Sequence, residues 1–256
     1  MKKLLALSLL AMSLFTVSCG SDDDDYDNRG YWTFTANGVS FQMVIVDGGT
    51  FQMGDENGYF DEKPVHEVTL SPFAIGRTEV TQELWEAVMG TNPSESVGNK
   101  LPVENVTWND CQTFITKLNQ ITGKTFRLPT EAEWEFAARG GNKKSDYTYS
   151  GSNSIDAVAW YDSNSGDATH EVATKSPNKL GIYDMSGNVG ELCQDWYSSD
   201  YYSHSTLVNP TGPTSGTERI ERGGSCGDTS DGCRIGYRHG VKPSAKYYNL
   251  GLRLAL

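Results

Sequence analysis

Basic residues are scarce in this chain: 21 Lys and Arg stand against 33 Asp and Glu, a formal charge of −12 over 256 residues. So acidic a surface has no general attraction for phosphate backbones or anionic lipid, and no basic stripe interrupts it, which argues against nucleic-acid binding. Histidine is scarcer still, with His66, His170, His204 and His239 scattered singly. No HExxH pair and no three-histidine set exists for zinc or iron. The cysteines include no CxxC and no Cys/His cluster at zinc spacing. A GxSxG nucleophile elbow and a phosphate-binding glycine loop are also missing. The apolar run at residues 4–17 is too short to span a bilayer. Internal repeats and Pro/Ser linkers are absent, which leaves a single α+β domain from about residue 31 to the end.

The N-terminus carries more information. A basic start (Lys2, Lys3), the short apolar run and small residues before Cys19 read as a signal peptide over residues 1–18. The cleavage region resembles a lipobox, although leucine is missing three positions before the cysteine. Cleavage there would leave Cys19 as the lipidated N-terminus and, by removing the two lysines, move the charge by two to −14. The following "GSDDDD" resembles the surface-export signal of Bacteroidetes lipoproteins. The expectation is a cell-surface lipoprotein of the outer membrane, touching the membrane only through its lipid. Residues 19–30 would form a flexible acidic tether and residues 31–256 the domain; ordinary secretion with an acidic spacer is the alternative. An exported chain permits disulfides, and Cys111, Cys193, Cys226 and Cys233 allow three pairings among which the sequence does not choose.

Along the domain, "YWTFTANGVSFQMVIV" alternates as a hairpin with Asn37-Gly38 at its turn. "GGTFQMG" reads as a glycine-bounded strand and "HEVTLSPFAIGRTEV" alternates again. Three helices start at Thr81, Thr107 and Thr130, the latter two with an acidic residue placed for a capping box, and glycine follows each. Their tryptophans and Cys111 lie at core spacing. Glu131, Glu133, Glu135 and the Asp61-Glu62 pair read as helix N-terminal or solvated charge. After residue 141 the helical signal disappears, and only short strand-like pieces such as "TERIERGG" and "LGLRLAL" remain.

The ordered phrases "GGTFQMG", "EVTQELWEAVMG", "LPVENVTWNDC", "FRLPTEAEWEFAARGG", "GIYDMSGNVGEL", "RGGS" and "LGLRLAL" resemble the formylglycine-generating enzyme, or sulfatase-modifying factor, family over about residues 43–256. The resemblance implies a variant of the C-type lectin fold, with a small antiparallel sheet, three helices and much irregular structure. Active members use two cysteines that bind copper, at the third and eighth positions after RGGS. Here those positions hold Asp228 and Cys233, and a carboxylate is a poor ligand for Cu(I). Cys226, immediately after RGGS, is the other thiol nearby. Cys233, Cys226 and Ser225 are thus the catalytic candidates, and copper is not expected. The resemblance also implies structural calcium at "DMSGNVGE", held by the side chains of Asp184 and Glu191 and the carbonyls of Gly187 and Val189. Capping of backbone amides by the two carboxylates is the alternative. Gly190 and Leu192 stand where relatives commonly carry aromatics.

From Cys226 onward, small and polar residues alternate with a fixed framework of Cys233, Arg234, Tyr237 and Arg238. This pattern resembles the variable segment of diversity-generating retroelement target proteins. Asp228, Thr229, Ser230, Asp231, Ile235, Tyr237 and His239 are the expected ligand contacts. The preferred reading is a surface lipoprotein that binds a protein or glycan through the 226–241 loop. An oxidase with a displaced cysteine pair and a structural subunit of an envelope assembly remain as alternatives.

Overall fold

The computed structural model describes residues 25–27, 30–143 and 145–256. Residues 1–18, expected as a signal peptide, and Cys19 lie outside them. The architecture is α+β: β1 (Asp25–Asp27), β2 (Tyr31–Ala36), β3 (Val39–Val46) and β6 (Phe73–Gly76) form one antiparallel sheet in the order β1-β2-β3-β6. Asp25–Asp27, expected within a free tether, pairs in register with β2 as an edge strand. Asn37 and Gly38 both take positive φ, 48° and 88°, which the tight β2–β3 turn requires. β4 (Gly49–Met53) and β5 (His66–Leu70) form a two-stranded ribbon. The second sheet is ordered β10-β7-β8-β9 and comprises β7 (Gly190–Trp196), β8 (Arg219–Arg222), β9 (Arg238–Val241) and β10 (Leu250–Leu252), with β10 parallel to β7.

α1 (Gln82–Met89), α2 (Trp108–Thr122) and α3 (Glu131–Ala138) begin where the sequence places them. The hydroxyls of Thr81, Thr107 and Thr130 accept the N3 amides, and Asp110 and Glu133 complete capping boxes. Two one-turn helices, α4 (Ile155–Val158) and α5 (Asp162–Ser165), correct the expectation of three; four residues are too few to show helical periodicity.

The core divides in two. α1 and α2 close over the first sheet with Trp85, Phe114, Phe34 and Phe126, and Cys111 is buried among them. α3 lies between the β4–β5 ribbon and the second sheet, with Trp134, Phe136, Phe51 and Ile220 around it. Because every side of α3 is covered, Glu131, Glu133 and Glu135 are buried. They are not solvated charge but members of ion pairs, since a buried carboxylate is tolerated only with a cation or several donors.

Candidate functional site

β8 is central in its sheet, and its side chains alternate. Ile220 and Arg222 point inward, while Arg219 and Glu221 share the opposite face. The chain then turns through Gly223 and Gly224, runs out as the 225–237 loop and returns as β9, where Arg238 pairs with Arg222.

Three arginines fasten this loop. Arg222 donates to Glu135 and to the carbonyls of Gly236 (2.9 Å) and Tyr237. Arg238 grips both oxygens of Glu131 at 2.7 Å and donates to the Asp61 carbonyl at 3.0 Å. Arg234 takes Glu62 bidentately at 2.8 and 2.7 Å, and also reaches Asp55 (3.1 Å) and Asp231 (2.7 Å). Asp61 and Glu62 are therefore buried anchors rather than loop charge; Asp61 also accepts from the Tyr197 hydroxyl. Planar bidentate pairs of this kind fix position as well as charge.

Beside the loop lies an open cavity of ≈ 340 Å³, lined by Glu221, Gly224, Asp228, Tyr237, His239, Tyr247 and Asn249. Of the expected contacts, Asp228, Tyr237 and His239 line it. Thr229, Ser230 and Asp231 sit outside it on the loop tip, where Asp231 accepts from the Tyr59 hydroxyl at 2.6 Å. Ile235 faces the other way: it is 2% exposed and packs into the core around α3, the position its apolar side chain favours once Arg234 is pinned to Glu62. Ile235 is thus corrected from ligand contact to core.

Asp228 is held by its neighbours. Its carboxylate accepts from Ser225 Oγ, which itself accepts from Asn249 Nδ2 at 2.7 Å and the Gly227 amide at 3.3 Å. Ser225 is fully buried, and its hydroxyl braces Asp228.

Cys226 and Cys233 are fully buried and unpaired, and neither lines the cavity. The backbone of Cys226 is fixed on both sides: its amide donates to the Asn188 carbonyl at 2.8 Å, and its carbonyl accepts from Ser165 Oγ at 2.7 Å. Burial pushes the Cys226 thiol up to about 12 and raises Cys233 as well. A buried thiol held this high is a poor nucleophile, because the thiolate is the reactive form. Cys111 and Cys193 are likewise buried and free, so the described residues contain no disulfide.

The "DMSGNVGE" turn adopts left-handed backbone at Asp184 (φ 58°) and Asn188 (φ 67°). The Asp184 carboxylate accepts from the Ala173 amide at 2.7 Å. Glu191 accepts from Trp134 Nε1 at 2.7 Å and is gripped by Arg253. Glu79, absent from the expected set, joins them and accepts from Asn188 Nδ2 (2.8 Å) and the Val189 amide (3.1 Å). Burial raises Asp184 to about 6 and Glu79 well above its ordinary value, with the neighbouring carboxylates adding to both effects. Three carboxylates thus face one guanidinium, an excess of negative charge that suits a hard divalent cation. The described residues bring no three His, Cys, Asp or Glu side chains close enough to share a metal. A cation here would therefore depend on backbone carbonyls for most of its ligands.

Residues 34–256 match the family model described as "sulfatase-modifying factor enzyme 1-like domain". The chain is 37% identical to the chaperone protein LppX of Paenibacillus barcinonensis, over 78% of this chain and 83% of that protein. It is 31% identical to a formylglycine-generating enzyme of Streptomyces coelicolor, over 83% and 88% of the two chains. Against longer chlamydial relatives it spans 38% of their length. Among solved structures it resembles Treponema denticola variable protein 1, with a TM-score of 0.80 and 38% identity over 87% of this chain and 97% of that one. The ordered motifs, the C-type-lectin-like α+β architecture and these matches agree: the chain belongs to the sulfatase-modifying factor family.

Proposed function

We propose that this protein is a surface lipoprotein whose sulfatase-modifying-factor-like domain binds a protein or glycan ligand in the cavity beside the 226–241 loop, without oxidase chemistry. The observation that carries this reading is the exchange of groups at the site. The cavity offers a carboxylate at Asp228, the first of the family's two cysteine positions, while both nearby thiols are buried outside it. The arginine-fastened loop is a rigid frame with exposed polar and aromatic groups, which is how binding surfaces are commonly built. The test is incubation of the mature chain with copper, oxygen, a reductant and a Cys-x-Pro-x-Arg peptide, followed by mass spectrometry. No formylglycine is expected while an authentic enzyme converts the peptide in parallel; conversion would make the protein an oxidase.

Two further elements belong to the proposal. Lipidation at Cys19 predicts that labelled palmitate enters the wild-type chain but not Cys19→Ser, and equal labelling would reject it. Structural calcium at Asp184, with the Gly187 and Val189 carbonyls, is supported by the excess carboxylate charge of Glu79, Asp184 and Glu191 over Arg253. Glu191 joins such a set only by yielding an oxygen from its Arg253 pair.

A further inference from the structure

Glu221 is the member of the cavity that the fold does not explain. It projects from the middle of the second sheet, opposite Leu192 on β7 and His239 on β9. Its side chain lies over Gly190: a Cβ there would come within 2.0 Å of Glu221 Oε1. The glycine at 190 is therefore what leaves room for the carboxylate. Among the described residues Glu221 makes no hydrogen bond or ion pair, whereas the buried carboxylates of α3 are matched to arginines. Asp228 adds a second carboxylate to the same cavity, and no lysine or arginine lines it. Tyr237 and Tyr247 supply ring surface.

We propose, building on the binding reading above, that the cavity selects an organic cation, an alkylammonium or guanidinium group seated on Glu221 and flanked by Asp228, Tyr237 and Tyr247. A charged group so placed meets a carboxylate left without a partner and rings whose faces attract cations. Once Glu221 is ionised, a neutral ligand would leave its charge uncompensated as it excluded water from the cavity, which is costly. A bare metal ion fits less well, because no three potential ligand side chains converge among the described residues and aromatic walls offer it no donors. Gly190 acts as the specificity-determining position, since any side chain there displaces Glu221.

Burial, with repulsion from Asp228 adding to it, pushes Glu221 up to about 8. The titratable groups facing it are Asp228 from the loop, Tyr237 and His239 from the β9 side and Tyr247. The folded value exceeds the ordinary one, so ionising Glu221 costs stability increasingly as pH rises from the ordinary carboxylate value to about 8. Glu221→Gln should consequently melt at or above the wild-type temperature at pH 8.5, which makes it a folded control.

The test is calorimetric and NMR titration of the full chain with 1,4-diaminobutane, N-acetyl-lysine methylamide, N-acetyl-arginine methylamide and the neutral N-acetyl-norleucine methylamide. At least one cationic probe is expected to bind saturably at pH 8.5. Its affinity should fall at least tenfold in Glu221→Gln and also in Gly190→Ala, and the neutral probe should be at least tenfold weaker. Which cationic probe binds tightest separates a lysine or arginine side chain from a free polyamine as the source. Equal binding of the neutral probe, or cation binding unchanged in Glu221→Gln, overturns the cation while keeping the cavity as a binding site. If no probe of any charge perturbs the cavity, the inference and the binding reading fall together.

Discussion

Arg238→Met is expected to destabilise the domain by about 3–5 kcal/mol, the range for breaking a buried ion pair from one side. The arginine is 3% exposed and donates from its guanidinium to both Glu131 Oε1 and Oε2. Removing it strands a carboxylate beneath α3, with only the Tyr202 hydroxyl at 3.2 Å and Arg222 at 3.7 Å left close by. For a domain of this size the melting temperature should fall by roughly 6–20 °C. Pairing the change with Glu131→Gln should recover part of the loss, because the stranded charge goes with it. A single variant that melts within about 2 °C of wild type would show that the arginines are not what fastens the loop. The consequence reaches function: Arg222 and Arg238 sit at the two ends of the 223–237 segment, so the cavity inherits its rigidity from α3.

Chelation carries the second large effect. If calcium occupies the "DMSGNVGE" turn, stripping it leaves Glu79, Asp184 and Glu191 facing Arg253 alone. Saturation at 100 times the dissociation constant contributes about 2.7 kcal/mol, so EDTA should lower the melting temperature by on the order of 5–10 °C. Calcium, but not magnesium, should restore it, because the smaller ion demands near-ideal octahedral geometry. Loosening should concentrate around this turn and the segments that lean on it: Asn188 receives the Cys226 amide, and the Gly187 amide donates to Gly223. The turn is thus wired directly to the loop beside the cavity. An unchanged melting curve after chelation would leave the carboxylates satisfied by protonation and hydrogen bonds alone.

Much of this architecture is written in local rules. Thr107, Asp110 and Gly123 mark both ends of α2 within the sequence itself, and Asn37-Gly38 marks its hairpin, because capping and turn chemistry depend on neighbours a few residues away. β7 was hidden for the opposite reason. "GELCQDW" is buried on both faces over most of its length, so it shows no alternation of apolar and polar positions. β9, "RHGV", looks like loop because its inward residue is an arginine whose partner, Glu131, lies 107 residues away. The same distance effect explains the errors over Glu131, Glu133 and Glu135, which resemble ordinary helix N-terminal acids until α3 is enclosed.

The site divides along the same line. Asp228, Tyr237 and His239 are legible because one loop supplies them. Tyr247 and Asn249 arrive from the approach to β10, which only the parallel pairing with β7 brings alongside. Glu221 was within reach: once "RIER" is a strand with Arg222 turned inward, alternation places Glu221 on the other face. Ile235 lies in a loop yet is buried, because its side chain completes the core that contains Trp134.

The most direct measurement of the central claim is Cu(I) titration of the native mature chain against a competing chelator, with Cys233→Ala beside it. Cys226 and Cys233, buried outside the cavity, with Asp228 at the first of the family's two cysteine positions, predict no stoichiometric Cu(I) binding and no difference between the two proteins. One Cu(I) per chain, lost in Cys233→Ala, would show that the two thiols form a working pair and would return the protein to the oxidases of its family.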